Sequence, residues 1–128
     1  MATLTRDCCP FLQDLGIGDA TQFNFTKVCQ VAGNMDDGSA FDRTKQALHF
    51  IGFDQQSQQS IFAAVSAVLH IGNLALGQND HGDATLQDNR HLVAVSSLLK
   101  VDGNDVRSAF CNRMITAGTD VMVKPETM

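Results

Sequence analysis

Histidines, cysteines and one pair of carboxylates are the residues of this chain whose types could do chemistry. His70 closes an apolar run, His81 and His91 stand in and beside a polar stretch, and Asp36 and Asp37 are adjacent. A histidine can bind a metal or move a proton, but a metal needs further ligands at matching spacing, and the sequence places none beside these. His70 is therefore predicted to pack and hydrogen-bond as a structural residue. Adjacent carboxylates can work as acid and base, yet these two precede a helical stripe, where capping and dipole stabilisation account for them. Cys8, Cys9, Cys29 and Cys111 form no C-x-x-C pair and no disulfide framework, which predicts reduced thiols. No basic or helix-end setting around Cys8 and Cys9 marks a lowered thiol pKa, so a thiol enzyme is a weak reading.

Phosphate chemistry has still less to stand on. A phosphate-binding loop of the form G-x-x-x-x-G-K-[ST] needs a Gly-Lys step, and the four lysines follow Thr26, Thr44, Leu99 and Val123. The partial motif Gly16-Ile17-Gly18-Asp19-Ala20-Thr21 has no strand–helix–strand frame around it and reads as a loop before a helix. The chain on its own is thus predicted to hold no cofactor, no metal and no catalytic residue. A glycosylation sequon at Asn24-Phe25-Thr26 follows no secretory signal and reads as chance.

The elements that would position these residues are mainly helical. Asp36, Asp37, Gly38 and Ser39 supply cap-type residues ahead of Phe41, Thr44, Leu48 and Ile51 at helical spacing, with Gly52 as a stop, predicting a helix over about 40–51. Asp54 can cap a second helix with Ile61, Phe62, Val65, Val68 and Leu69 toward the core and Gln55, Gln56, Gln59 and Ser66 outward. Gly72 and Asn73 close it, Gly72 in a left-handed conformation. Leu74, Ala75 and Leu76 predict a short strand, the polar stretch 78–83 a loop, and Ala84 to Leu86 a returning strand. Asp88 or Asn89 opens a third helix burying Leu92, Val95, Leu98 and Leu99, and residues 101–104 break it. A short fourth helix over 105–112 buries Val106, Ala109 and Phe110, and Ala117-Gly118-Thr119-Asp120 predicts the turn of a hairpin over 114–123.

Composition sets the outer limits. At 128 residues, 44% hydrophobic and 18% charged, the chain can bury a core and is predicted to be globular. The net charge of -5 comes with Lys and Arg scattered from Arg6 to Lys124, so a nucleic-acid footprint is not expected. No stretch reaches the length of a membrane span, and the start carries no secretory pattern, which points to the cytoplasm.

Two linked segments, DDGSAFDRTKQALHFIGF at 36–53 and QSIFAAVSAVLHIGNLAL at 59–76, resemble the myosin motor head. Such heads carry an acidic pair, then F-x-x-T-x-x-A-M, a glycine-ended helix, and I-F-x-x-V-A-A-V-L-H-L-G-N-I. This chain supplies Asp36, Asp37, Phe41, Thr44, Ala47, Gly52, Phe53, Ile61, Phe62, Val65, Val68, Leu69, His70, Gly72 and Asn73 in register. The stretch 92–125 resembles the following helix pair and hairpin, with Leu98, Leu99, Val101, Arg113, Ile115, Gly118, Val121 and Pro125 in place. Leu48 stands where the family has Met, and Asp54-Gln55-Gln56 where it has Ser/Thr-Glu-Glu.

The resemblance implies a mainly α fold with small β-hairpins, part of a P-loop NTPase head. It implies a poorly matching segment at 1–22, a partial motor domain over 23–125 in the upper actin-binding subdomain between the two nucleotide switches, and a truncated continuation at 126–128. The intact parent head would hold Mg-ATP, associate with actin filaments and the rest of its heavy chain, and belong to the cytoskeleton. By position, Gln78, Asn79, Asp80, His81, Gly82 and Asp83 would form one actin-facing loop, and Val123, Lys124 and Pro125 would enter another. The first loop is acidic and lysine-free, a poor electrostatic match for acidic actin. The alternative is a non-motor helical scaffold derived from the same helices.

Overall fold

Among the described residues, the α-helices whose starts are seen each begin at a short polar side chain that accepts backbone N–H groups otherwise left open at a helix start. The computed structural model describes residues 14–28, 36–117 and 120–127. The expectations for Cys8, Cys9 and Cys29, for residues 1–13, and for the hairpin turn at Gly118 and Thr119 lie outside the described residues.

Asp36 accepts from Gly38 N at 3.1 Å and the Ser39 hydroxyl at 2.5 Å, and helix α1 runs Asp37–Phe50, three residues ahead of its predicted start. Its end is a Schellman closure: Phe53 N donates to Leu48 O at 3.0 Å and Gly52 N to His49 O at 3.0 Å, with Gly52 at φ 99°. Asp54 caps α2, Gln55–Ile71, through Ser57 N at 2.8 Å. The first strand is Leu76–Gln78 (β1), two residues later than expected, and Ala84–Leu86 (β2) pairs with it antiparallel in the register Leu76↔Leu86.

Asn89 caps α3, Arg90–Leu99, through His91 N at 2.9 Å and Leu92 N at 3.0 Å. Lys100 ends that helix in the left-handed region at φ 56°, a position usually given to glycine. Gly103, expected among the breakers, opens α4, Gly103–Cys111, because Asp102 accepts from Asn104 N at 2.7 Å and starts the helix two residues earlier than predicted. Strands β3, Asn112–Ala117, and β4, Asp120–Pro125, form the second antiparallel hairpin, from Asn112↔Pro125 to Ala117↔Asp120.

Leu86, Leu92, Val95, Val106 and Cys111 make the core, with Ile71, Leu74 and Phe110 packed against it. Fully burying side chains of this size contributes about 1.5–3 kcal/mol each, so the α3–α4–β2 junction is the stability centre. Leu98 is half-buried, but Leu99 is 43% exposed and Ala109 is exposed, contrary to expectation.

The larger departure is α2, whose buried residues are Ser66, Ala67 and His70, while Val65 and Val68 are more than half exposed. The face that meets α3 and residues 14–28 needs small side chains for close approach and polar ones with partners, so the bulkier valines turn outward. Ile61, Phe62 and Leu69 are half-buried. Helix α1 buries no residue; Phe41 meets Phe62 at 5.0 Å between ring centroids, and Thr44 bonds back to Ala40 O at 3.0 Å.

Candidate functional site

The two stretches that sequence reasoning singled out for a partner are remote along the chain and joined in space. Asn79 organises the first: its Oδ1 accepts from His81 N and Asp83 N, both at 2.9 Å, and its Nδ2 donates to the Asp83 carboxylate at 3.0 Å. Gly82 at φ 83° lets the loop turn back, with Gly82 N donating to Asn79 O at 3.0 Å. The Asp83 carboxylate is thus engaged within the loop, leaving Asp80 and His81 at its exposed tip.

From Asp83 the backbone reaches directly to the C-terminal end. Asp83 bridges antiparallel to Thr127, Ala84 N donates to Glu126 O at 2.7 Å, and Glu126 N donates to Cys111 O at 2.8 Å. These bonds set Gln78, Asn79, Asp80, His81, Gly82 and Asp83 beside the strand end holding Val123, Lys124 and Pro125. Beneath them Arg107 holds the base of the first hairpin, donating to Leu86 O and pairing with Asp88 at 2.7 Å. A shallow cavity of about 380 Å³ lies between β2 and α4, with the buried Cys111 among its lining residues.

The second hairpin exposes apolar side chains on both faces, with Met114, Val121 and Val123 on one and Met122 on the other, each about half or more exposed. Charged residues stand at its two ends: Arg113 faces Lys124 across the strands and lies 3.9 Å from Glu126, and Asp120 is at the turn end. Such a surface can bind a partner through apolar contact. Among the described residues no group of His, Cys, Asp and Glu side chains could hold a metal ion, and no helix is long and apolar enough to cross a membrane.

The predicted structural residues fall into two groups. Asp36 is a cap whose carboxyl is held below its ordinary pKa, chiefly by the Ser39 hydroxyl, and Asp37 lies in the first turn it precedes. The Asn24 amide of the sequon donates to Gly72 O at 2.9 Å. Gly72, expected in a left-handed conformation, has φ -61° and ψ -14°; glycine is required because a Cβ there would sit 2.5 Å from Phe25 Cε2.

What sequence reasoning missed is that His91 leaves the polar stretch and meets His70. Their Nδ1 atoms are 2.9 Å apart, the rings are 4% and 9% exposed, and Phe23 places its ring edgewise on both, at 5.2 and 6.2 Å. His70 Nε2 lies 3.3 Å from Leu15 O, which also accepts the Ser66 hydroxyl at 2.8 Å. Burial is the main cause that lowers both imidazole pKa values. Arg90 lowers both further, His70 adds to the effect on His91, and the Leu15 carbonyl partly offsets it at His70. The spacing of 21 residues between the two histidines matches no motif; only the α2–α3 packing brings them together.

Comparison with known proteins agrees with this architecture. The family model described as Myosin head (motor domain) matches residues 6–128. The chain is 30% identical over 115 residues to Myosin-1 of Meyerozyma guilliermondii, covering 88% of this chain and 9% of that protein. It is 33% identical over 111 residues to unconventional myosin-Id of Danio rerio, covering 85% and 11%, and 28% identical over 116 residues to unconventional myosin-Vc of Homo sapiens, covering 88% and 7%. It therefore spans about a tenth of the length of the curated relatives it matches.

Proposed function

Because the chain belongs to the myosin head family, we propose that it is an internal part of an actin-based, ATP-driven motor head, lying between the two nucleotide switches. In this reading residues 23–125 are upper actin-binding subdomain, residues 1–22 and 126–128 are flanking chain, and the parent head is a P-loop NTPase of the cytoskeleton. The piece couples the switches to the actin-facing surface and adds no ATP ligand of its own. Mg-ATP and the remainder of the heavy chain belong to the intact head.

The observation that carries the reading is the backbone junction of Asp83 with Thr127 and of Ala84 with Glu126, which merges the loop 78–83 and the strand end 123–125 into one surface. The exposed apolar face of β3 and β4 then supplies most of the contact, since the loop is acidic. Phe50 at 86% and Ile51 at 71% exposure, and separately Val65 and Val68 on α2, are apolar side chains that the rest of the head would cover.

The test places residues 23–125 in the matching stretch of a myosin motor domain and measures cosedimentation with actin filaments. Val123→Asp with Met114→Asp should weaken binding more than about tenfold, and Asp80→Asn should change it less than about threefold. Unchanged binding after both hairpin substitutions, with the head still folded, overturns the assignment of this surface.

A further inference from the structure

The two buried histidines close a chain of hydrogen bonds whose direction the structure fixes at every step. Asn24 N is a backbone donor 2.8 Å from Asn73 Oδ1, so Asn73 Nδ2 is the donating end of that amide; it gives a bond to Gln22 O at 2.6 Å and points at His91 Nε2 from 3.4 Å. Arg90 Nε donates to the same His91 nitrogen at 3.3 Å. Facing two donors, His91 Nε2 must be the acceptor, which puts the His91 proton on Nδ1. That proton is given to His70 Nδ1, and the His70 proton, left on Nε2, faces Leu15 O. Both rings are thereby neutral, each in one tautomer, and both ends of the chain are tied to residues 15–24.

We infer that this His70–His91 pair is an acid-sensitive latch holding residues 15–28 against α2 and α3. A further proton has nowhere to go without breaking a bond. On His91 Nε2 it would confront Asn73 Nδ2 and Arg90 Nε; on His70 Nδ1 it would confront the His91 Nδ1–H. The facing groups offer no counter-charge. From the N-terminal segment they are the Leu15 carbonyl and the Phe23 ring, and from α2 and its end the Ser66 hydroxyl and Asn73. From α3 the charged neighbour is the Arg90 cation, and among the described residues no carboxylate pairs with either ring. Protonation therefore removes either the bond between the two rings or the bonds that His91 Nε2 accepts from Asn73 and Arg90, and it leaves a cation without counter-charge beneath the segment carrying the buried Leu15 and Phe23, which lifts while the core around Val95 and Val106 stays closed.

The latch is tested on the full 128-residue chain by nitrogen NMR of the histidine rings and by hydrogen exchange corrected for intrinsic rate. At about pH 7.5 His91 should appear as the Nδ1–H tautomer and His70 as the Nε2–H tautomer. Between about pH 7.5 and about pH 5.5 protection of amides in 15–28 should fall about tenfold, and that of Gly103–Cys111 by less than about twofold. His91→Leu should abolish the pH response and His81→Gln should keep it. An Nε2–H tautomer at His91, or protection of 15–28 that does not change with pH, overturns the latch; the tautomer measurement decides the matter even if His91→Leu does not fold.

Discussion

Phe25 lies across the end of α2 so closely that a Cβ on Gly72 would meet its ring at 2.5, 2.7 and 2.8 Å. The helix ends there in ordinary right-handed geometry, so the glycine serves contact and not conformation. Gly72→Ala should destabilise the chain by about 1–2 kcal/mol, because the Phe25 ring must swing away. With Phe25→Ala in the background the same substitution should cost less than about 0.5 kcal/mol. Urea unfolding of the four proteins of this cycle gives the answer, and additivity would show that crowding is not the cause.

Lys100 gives the opposite case, a side chain in the left-handed region at the end of α3. Lys100→Gly should stabilise by about 0.5–1 kcal/mol, since glycine takes φ 56° without a Cβ clash. A thermal melt that shifts downward on this substitution contradicts the strain argument.

The inward face of α2 predicts an unequal response to substitution. Ser66 is fully buried and bonded to Leu15 O at 2.8 Å, so Ser66→Leu both overpacks the α2–α3 contact and frees a buried carbonyl lone pair. A loss of about 2–4 kcal/mol is expected, against less than about 1 kcal/mol for Val68→Ala on the exposed side. Equal losses in chemical denaturation would mean that α2 is turned the other way.

Stability should fall on mild acidification. The folded pKa values of His70 and His91 lie below the ordinary 6.5, so near and below that value the unfolded chain binds more protons than the folded one. Stability is therefore full above 6.5, declines as pH drops from there through the folded values, and levels off beneath them. The caps Asp19, Asp36 and Asp54 have lowered carboxyl pKa values, and their contribution is lost in a separate window below 3.8. Two steps in unfolding free energy against pH are expected, and a curve flat from neutrality to the carboxylate range would refute the first.

Calorimetric titration of the purified chain with Mg-ATP should be flat. The sequence carries no Gly-Lys step and hence no loop to cradle phosphates. Saturable heat at micromolar nucleotide would overturn this.

The parts of the fold legible in the sequence are those written in local chemistry. Asp36, Asp54 and Asn89 cap where expected, and Gly52 stops α1 through its positive φ. What failed depended on partners remote along the chain. Apolar spacing on α2 put Val65 and Val68 inside, but the neighbours of that helix, Leu15 and His91, reward a small hydroxyl and an imidazole. Gly72 looked like a terminator because its contact, Phe25, is visible only in three dimensions. The candidate surface was legible as two separate stretches; the bridge from Asp83 to Thr127 that unites them has no sequence signature.

The docking of residues 15–24 also bears on how the chain is made. Leu15 finds its His70 partner 55 residues later and Asn24 finds Asn73 49 residues later. At a ribosomal pace of roughly 5–20 residues per second, Leu15 and Phe23 wait about 3–10 seconds after synthesis before the helix that shelters them emerges. During that interval two side chains that end up almost fully enclosed are open to solvent and to chaperones. A segment made ahead of α2 and α3 thus settles only after both.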